Sequence, residues 1–289
     1  MATKMFSLKT YNHLILLVNT VFLLVFSSTL LASDLAKEKR WADQIVDSIM
    51  TGDAIWLEDG KNKFLGLFTE STTPKTEGAI IVVHGIGVHP NWPDVILPIR
   101  AEFPDHGWAT LSIQMPILAN DKTSKDYIPL LKEVNSRFDA AVQFLKTKNI
   151  QNIVIAAHSM GATMANQYLT TKPDPAIRAY IAISMSSDPK TKELDNVKKL
   201  RLIKNIPVLD IYGNQDLDPV LRFAKNRLKA GQKSNPKYKQ VMIKGADHFY
   251  LSKNEQLIKI IRLWLLKNAP GKEITNPAAS TQGAAPSIN

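Results

Sequence analysis

The chain has 289 residues, with 36 Lys and Arg against 26 Asp and Glu, a formal net charge of +10 and no cysteine. Apolar residues make up 45% and charged residues 21%, which excludes disorder or a disulfide scaffold for the bulk of the chain. The absence of cysteine excludes thiol catalysis, cysteine-ligated zinc, iron–sulfur clusters and lipid attachment to cysteine. The charge is uneven, at +7 over residues 188–240. Because no zinc-finger, helix-turn-helix or basic–aromatic RNA motif accompanies it, we expect solvated helix faces and no nucleic-acid partner.

The first 33 residues have the features of a targeting segment. Lys4 and Lys9 precede residues 14–32, which carry no charge and are rich in Leu, Val and Phe. Basic residues followed by an apolar run and small residues are typical of a secretory signal peptide. We therefore predict that residues 1–33 are a signal peptide or, alternatively, an N-terminal membrane anchor. In both cases the body of the protein would lie outside the cytoplasm, in the periplasm or secreted, or tethered to the membrane.

Strand-like runs and helical patterns alternate along the body of the chain. In chain order, the predicted elements are a helix at 36–50, strands at 54–57, 64–68, 79–83 and 109–113, a helix at 126–147, a strand at 153–156, a helix at 160–171, strands at 179–183 and 208–212, a helix at 219–230, a strand at 241–243 and a helix at 254–267. This order predicts an α/β fold with a mostly parallel central sheet and helices on both faces. The first two strands flank Asp59-Gly60, a hairpin signal, and would form an antiparallel edge.

The predicted domain spans residues 34–268. The segment 269–289 is rich in Ala, Pro, Gly, Ser and Thr and lacks periodicity, so we expect a disordered tail there.

A serine lies where a predicted buried strand turns into a helix. The sequence Ala157-His158-Ser159-Met160-Gly161 occupies this turn. In a nucleophile elbow, G-x-S-x-G, a strained turn exposes the serine hydroxyl, and small residues two places before and after it let strand and helix approach closely. Gly161 keeps this pattern and Ala157 replaces the first glycine. The pattern favours Ser159 as a nucleophile over the alternative that it only caps the helix.

The later strands end in residues that could support this serine. Asp216 follows the strand at 208–212 and a glycine turn, and we assign it as the acid that orients a histidine. Asp218 and Asp188 are alternative acids. Asp210, within the strand itself, is unusual, because a carboxylate in an apolar strand needs a partner; we expect an edge position or a facing basic side chain.

A histidine follows the last predicted strand. Five of the six histidines are excluded as the base, since they lie in the leader, come too early for the order Ser, Asp, His, or adjoin the serine. His248 remains, and we assign it as the base.

The loop after the strand at 79–83 completes this set. His84-Gly85-Ile86-Gly87 follows that strand, and backbone N–H groups of Ile86 (or Gly85) and of Met160 would bind an oxyanion. The glycines could equally serve only to permit a tight turn, and both interpretations are compatible.

These four motifs, H-G-I-G, A-H-S-M-G, G-N-Q-D and A-D-H-F, resemble those of the α/β-hydrolase superfamily over residues 52–268. The stretches at 89–93 and 107–116 further resemble a bacterial envelope-associated family of unknown function within it. The resemblance implies an α/β-hydrolase fold, with Ser159 as nucleophile, His248 as base and an acid after the preceding strand. It supplies no substrate.

The expected function is therefore that of an extracytoplasmic serine hydrolase, most simply a carboxylesterase, which needs neither metal nor cofactor. Alternatives are a peptidase or acyltransferase with the same triad, or a catalytically silent binding protein of the cell envelope. The expected partners are a small-molecule or lipid-like acyl substrate and an anionic envelope surface.

The segment 188–206 is long enough only for a short cap over the site. An acyl pocket could be lined by apolar side chains from several loops, namely Trp92, Trp108, Met115, Ile117, Leu118 and Phe249.

Overall fold

Strands and helices alternate along residues 33–171, 173–271 and 274–275, the part of the chain that the computed structural model describes. Its strands are β1 (Asp53–Glu58), β2 (Lys63–Thr69), β3 (Lys75–Thr76), β4 (Gly78–Val83), β5 (Trp108–Ile113), β6 (Ile153–His158), β7 (Ile177–Ile183), β8 (Val208–Gly213), β9 (Tyr238–Ile243) and β10 (Ile274–Thr275). Its α-helices are α1 (Leu35–Ser48), α2 (Ile96–Glu102), α3 (Leu131–Thr147), α4 (Met160–Leu169), α5 (Asn196–Leu200), α6 (Asp218–Ser234) and α7 (Asn254–Asn268). None of the helices in this part of the chain has the length and apolar character needed to cross a membrane.

Eight of these strands form one sheet in the order β1-β2-β5-β4-β6-β7-β8-β9. β1 and β2 are an antiparallel hairpin at one edge, β2 also pairs antiparallel with β5, and the other neighbours are parallel. β4 and β6 are buried along their whole length, as continuous apolar strands between two helical layers should be. The predicted α/β architecture with its antiparallel edge is therefore confirmed.

Helices cover both faces of the sheet. On one face, apolar side chains of α3, α4 and α5 form a core with the strands, and Leu228 of α6 packs against it. On the other face, α2 and α7 pack against the opposite side chains of the same strands. Outside these two layers, α1 packs through Ala42 and Ile45 onto Leu65 and Leu67 of β2. Because both faces are covered, the ends of the strands are the places left open for chemistry.

Asp210 lies inside the sheet on β8 and faces a basic side chain. Its Oδ2 accepts hydrogen bonds from Arg227 Nε at 2.8 Å, Tyr238 Oη at 2.6 Å and Gln240 Nε2 at 2.8 Å. The side chains of Asp210 and Arg227 are fully buried. The ion pair joins α6 to β8, and it accounts for a carboxylate in an apolar strand without any catalytic role.

Several local features differ from the sequence prediction. The α2 helix was not predicted, because it has seven residues and contains Pro98, so it shows too little periodicity. The helix predicted at 126–147 begins as a 3₁₀ turn at Ile128–Leu130 and becomes α-helical only at Leu131. At the C-terminus, Ile274 and Thr275 pair with β3, within the segment predicted to be a tail. Residues 1–32 of the predicted leader and residues 272–273 and 276–289 of the predicted tail lie outside the described residues.

Candidate active site

Ser159 stands at the turn between β6 and α4 in a strained backbone conformation. Its φ of 56° and ψ of −122° lie outside the regions that residues with a side chain usually adopt. The turn is held from the neighbouring strand, since the Ser159 N–H donates to the Ile183 carbonyl at 2.9 Å. Such strain at a strand-to-helix turn is a feature of nucleophile elbows.

Gly161, two places after Ser159, must be small for a steric reason. A methyl group on Gly161 would lie 2.5 Å from the His84 carbonyl oxygen and 2.7 Å from that of Val83, so no side chain fits. Gly85 is similarly confined, because its methyl would lie 3.0 Å from Ser159 Cβ. Ala157, in contrast, is fully buried within the core, and its single methyl is accommodated there.

His248 reaches the serine from the loop after β9. Its Nε2 lies 3.0 Å from Ser159 Oγ, and its Nδ1 lies 2.6 Å from Asp216 Oδ1. With the Nδ1 proton donated to the carboxylate, Nε2 is free to accept the serine proton. The loops after β8 and β9 can meet because Gly213 lacks a side chain, which would otherwise overlap the Ala246 carbonyl oxygen at 2.1 Å.

Of the three aspartates considered from the sequence, Asp216 is the one beside His248. Asp218 is exposed and pairs with Arg222 one turn further along α6. Asp188 accepts hydrogen bonds from Thr191 and from the Lys190 N–H within its own loop.

Hydrogen bonds fix the Asp216 carboxylate. Oδ2 accepts from Ser184 Oγ at 2.5 Å, and Oδ1 accepts from the Leu217 N–H at 2.7 Å. The Tyr250 hydroxyl lies 3.1 Å from Ser184 Oγ. Burial alone would raise the pKa of Asp216, but hydrogen bonds from His248 and Ser184 outweigh it, so the pKa lies below its ordinary value. The acid is thus held ionised next to the imidazole.

His158 supports the histidine loop from the residue before the serine. Its Nε2 donates to the His248 carbonyl oxygen at 2.9 Å, and the two rings lie 4.8 Å apart. Burial lowers the pKa of His158 to about 4, so its ring is neutral at pH 7. It therefore holds the backbone of His248 without adding a second positive charge beside it.

His84 orients the loop that contains the predicted oxyanion donors. Its Nε2 accepts from the Met115 N–H at 2.9 Å, which leaves the proton on Nδ1 for the Gly85 carbonyl oxygen at 2.9 Å. In a trans peptide the C=O and the following N–H point in opposite directions, so the Ile86 N–H is directed away from His84. Gly85, Ile86 and Met160 all line the cavity that contains Ser159.

Comparison with protein families identifies a matching model, described as a protein of unknown function (DUF3530), over residues 28–130 and 119–267. The chain belongs to this family. A comparison with curated proteins found no match.

Solved structures show which fold this DUF3530 chain has. It is similar to Est1E from Butyrivibrio proteoclasticus, at 18% identity and a TM-score of 0.57 over 74% of this chain and 98% of that one. It is also similar to the Pyrococcus furiosus esterase Pf2001, at 16% identity and a TM-score of 0.60 over 75% and 92%. An alpha-beta serine hydrolase homologue from Coxiella burnetii matches at 15% identity and a TM-score of 0.56 over 75% and 98%. The DUF3530 chain therefore has the α/β-hydrolase fold that its motifs predicted.

A cavity of about 1020 Å³ opens beside Ser159 in this DUF3530 protein. Its lining is mainly apolar and includes Trp92 and Phe249, as predicted. The prediction was wrong for Trp108, Met115 and Ile117, which are buried in the core, and Leu118 also packs against the core. These side chains belong to β5 and the segment after it, where the sheet is covered by helices.

The cap segment covers one side of this cavity. It contains a 3₁₀ turn, Lys192–Leu194, and α5. Its contribution to the lining is small and mixed in character, consisting of Asp188, Pro189, Lys190 and Leu194. Across the described residues, no group of three or more His, Asp and Glu side chains is arranged to hold a metal ion.

Sequence reasoning missed the supporting residues Ser184, Tyr250 and His158, and it gave His84 no role beyond its place in the loop. Ser184 follows β7 directly and has a φ of 53°, so its place at a strand end was the available signal. The hydrogen bonds of Tyr250, His158 and His84 join segments distant in the chain, and no local pattern marks them.

Proposed function

We propose that this protein is a serine hydrolase that transfers the acyl group of an ester to water through Ser159, His248 and Asp216. The observation that carries the proposal is the continuous hydrogen-bonded chain from Ser159 Oγ through the His248 ring to Asp216, beside an open apolar cavity. This is the arrangement by which a serine is activated for attack on a carbonyl carbon.

In the proposed reaction, His248 Nε2 takes the proton of Ser159 as Oγ bonds to the carbonyl carbon. The charge that develops on the carbonyl oxygen is stabilised by the backbone N–H groups of Ile86 and Met160. Asp216 stabilises the imidazolium, which then protonates the leaving alcohol as the ester C–O bond breaks. Water, deprotonated by His248, attacks the acyl carbon. The carboxylic acid is released as the bond to Ser159 Oγ breaks and His248 returns the proton to Oγ.

We propose esters rather than amides as the substrates, and water rather than another molecule as the acceptor of the acyl group. One of the similar structures, Pf2001 from Pyrococcus furiosus, is named as an esterase, although at 16% identity it supports only the fold directly. The short cap leaves the cavity open to water, which favours hydrolysis as the second step. We also propose an extracytoplasmic location, and its support is the sequence of residues 1–33 alone.

The test is covalent labelling with a fluorophosphonate, which reacts with activated serines. We expect stoichiometric labelling of the purified protein and no labelling of Ser159→Ala, which lacks the nucleophilic oxygen. Labelling of His248→Ala should be more than about 100-fold slower, since general-base activation supplies roughly 10²–10⁴. Ser136→Ala, a change at a serine of α3 outside the cavity, is the control and should label as the parent does. Labelling that persists in Ser159→Ala would contradict the site, and an unlabelled parent would favour the silent binding protein.

A further inference from the structure

A groove lined by basic side chains runs between α5 and α6. It consists of two depressions of about 230 and 360 Å³, which share Val197, Arg201 and Asn226 along their walls. Its exposed cations are Lys198, Arg201, Lys229 and Lys233. Four of the 13 basic residues that the sequence places at 188–240 thus lie around one concave feature.

The groove adjoins the proposed active site. The smaller depression shares Pro189 and Phe223 with the cavity that contains Ser159. Pro189 belongs to the cap and Phe223 to α6, so the two features meet where the cap approaches that helix. The basic groove is therefore next to the apolar cavity, and the alcohol part of an ester bound at Ser159 would meet it at this junction.

The basic side chains of the groove lack acidic partners. Within the described residues, no carboxylate lies within ion-pair distance of Lys198, Arg201, Lys229 or Lys233. Asp195 is the carboxylate in the lining, and it caps α5 by accepting from the Lys198 N–H at 3.0 Å. Four like charges along one groove repel each other, and an anionic ligand would relieve this.

We propose that the groove holds the phosphate-bearing alcohol part of an amphiphilic ester, while the acyl chain occupies the apolar cavity. An arginine fork matches two phosphate oxygens, and the lysines add mobile positive charges. A concave groove accommodates a narrow substituent better than the flat surface of a bilayer. This inference rests on the proposed function: hydrolysis breaks the ester C–O bond, His248 returns a proton to the alcohol oxygen, and water supplies the carboxylic acid.

The binding test compares two esters that differ by one phosphate, 1-octanoylglycerol and 1-octanoylglycerol-3-phosphate, below their micellar concentrations. The full chain with Ser159→Ala is used, so that neither ester is consumed. We expect the phosphate ester to bind about tenfold more tightly at low salt, as one charge-assisted hydrogen bond would give. Arg201→Gln combined with Lys198→Gln, the two cations of the depression that adjoins the active site, should remove most of this preference. Lys259→Gln with Arg262→Gln, exposed on α7 across the sheet, removes the same charge and should retain it.

The turnover test separates this inference from the proposed function. With Ser159 intact, we expect a higher kcat/KM for the phosphate ester than for the neutral ester, and a ratio that falls in the Lys198/Arg201 variant. Ser159-dependent hydrolysis of both esters with equal binding would overturn the groove assignment and leave the hydrolase standing. The groove assignment would also be overturned if the Lys198/Arg201 variant bound the soluble phosphate ester as tightly as the parent but no longer bound phosphatidylglycerol vesicles. That result would assign the basic face to a membrane.

Discussion

At the scale of single residues, the proposed chemistry depends on how the Asp216 carboxylate is held. Ser184 adopts a φ of 53°, a conformation uncommon for a residue with a side chain, and its hydroxyl meets Asp216 Oδ2. With the Leu217 N–H on the other oxygen, the carboxylate cannot turn away from His248. The imidazole is consequently fixed with its Nδ1 proton toward Asp216 and its Nε2 toward Ser159.

This arrangement predicts different effects for two neighbouring aspartates. Asp216→Asn preserves shape but allows the amide to donate to Nδ1, which would place the imidazole in the wrong tautomer. We expect kcat to fall about 10³–10⁴-fold, the size of effect known for the corresponding change in a well-studied triad. Asp218→Asn is the matched control, because Asp218 lies on the surface with Arg222, and kcat should stay within about twofold.

The measurement is steady-state hydrolysis of a p-nitrophenyl ester, with far-ultraviolet circular dichroism to show that both variants are folded. A large loss in Asp218→Asn, with little change in Asp216→Asn, would assign the acid to the other residue.

The sequence could narrow the site to a few residues but could not complete it. Ser159 and His248 follow from their motifs and the chain order, because each stands at a strand end. Three aspartates satisfied the same pattern, and only the 2.6 Å distance to His248 Nδ1 distinguishes Asp216.

At the scale of elements, the site depends on how closely β6 and α4 approach the loop after β4. Gly161 is the first-turn residue of α4 whose missing side chain permits this contact, while Ala157 at the end of β6 shows that a methyl is tolerated on the strand side. The elbow is therefore asymmetric, because no side chain fits at position 161 on the helix side, whereas a methyl group fits at position 157 on the strand side. The departure from G-x-S-x-G at Ala157 is consistent with an intact geometry at Ser159.

This asymmetry predicts opposite tolerance at the two positions. Gly161→Ala places a methyl against the backbone carbonyls of Val83 and His84, and we expect a loss of about 1–3 kcal/mol in stability, together with most of the activity. Ala157→Gly should cost about 0.5–1 kcal/mol through chain entropy and retain activity within a few-fold. Urea denaturation and ester hydrolysis measure the two quantities. Equal activities for both variants would show that the packing on the helix side does not position Ser159.

The elements themselves were largely predictable because each major one carries its own periodicity. Buried strands such as β4 and β6 are continuous apolar runs, and amphipathic helices such as α3 show a clear apolar stripe. The short α2 and the two-residue strands β3 and β10 are determined by contacts with distant segments, so local patterns could not show them.

At the scale of the whole molecule, the site is assembled from segments far apart in the chain, and neutral histidines lie between them. His84 joins the loop after β4 to the segment after β5, and His158 joins β6 to the loop after β9. Burial lowers the pKa of His84 to about 3 and that of His158 to about 4. His89 is also affected, as burial lowers its pKa to about 4. These three histidines therefore bind protons less readily in the folded protein than in the unfolded chain.

Because the pKa values of these buried histidines are lowered, we predict that the protein loses stability in mild acid. Between pH 6.5 and 4, the unfolded chain binds protons at these histidines that the folded protein does not, so the free energy of unfolding falls as the pH falls. For His158, the difference between an ordinary pKa of 6.5 and about 4 corresponds to about 3 kcal/mol at its limit.

His158→Gln removes the titrating group and supplies an amide that can donate to the His248 carbonyl. We expect this variant to lose about 2–3 kcal/mol less than the parent between pH 7 and pH 4.5. Urea unfolding at the two pH values measures the difference, with His106→Gln as the control for replacing a histidine outside the site. Parallel losses in His158→Gln and the parent would show that His158 is protonated in the folded protein as readily as in the unfolded chain.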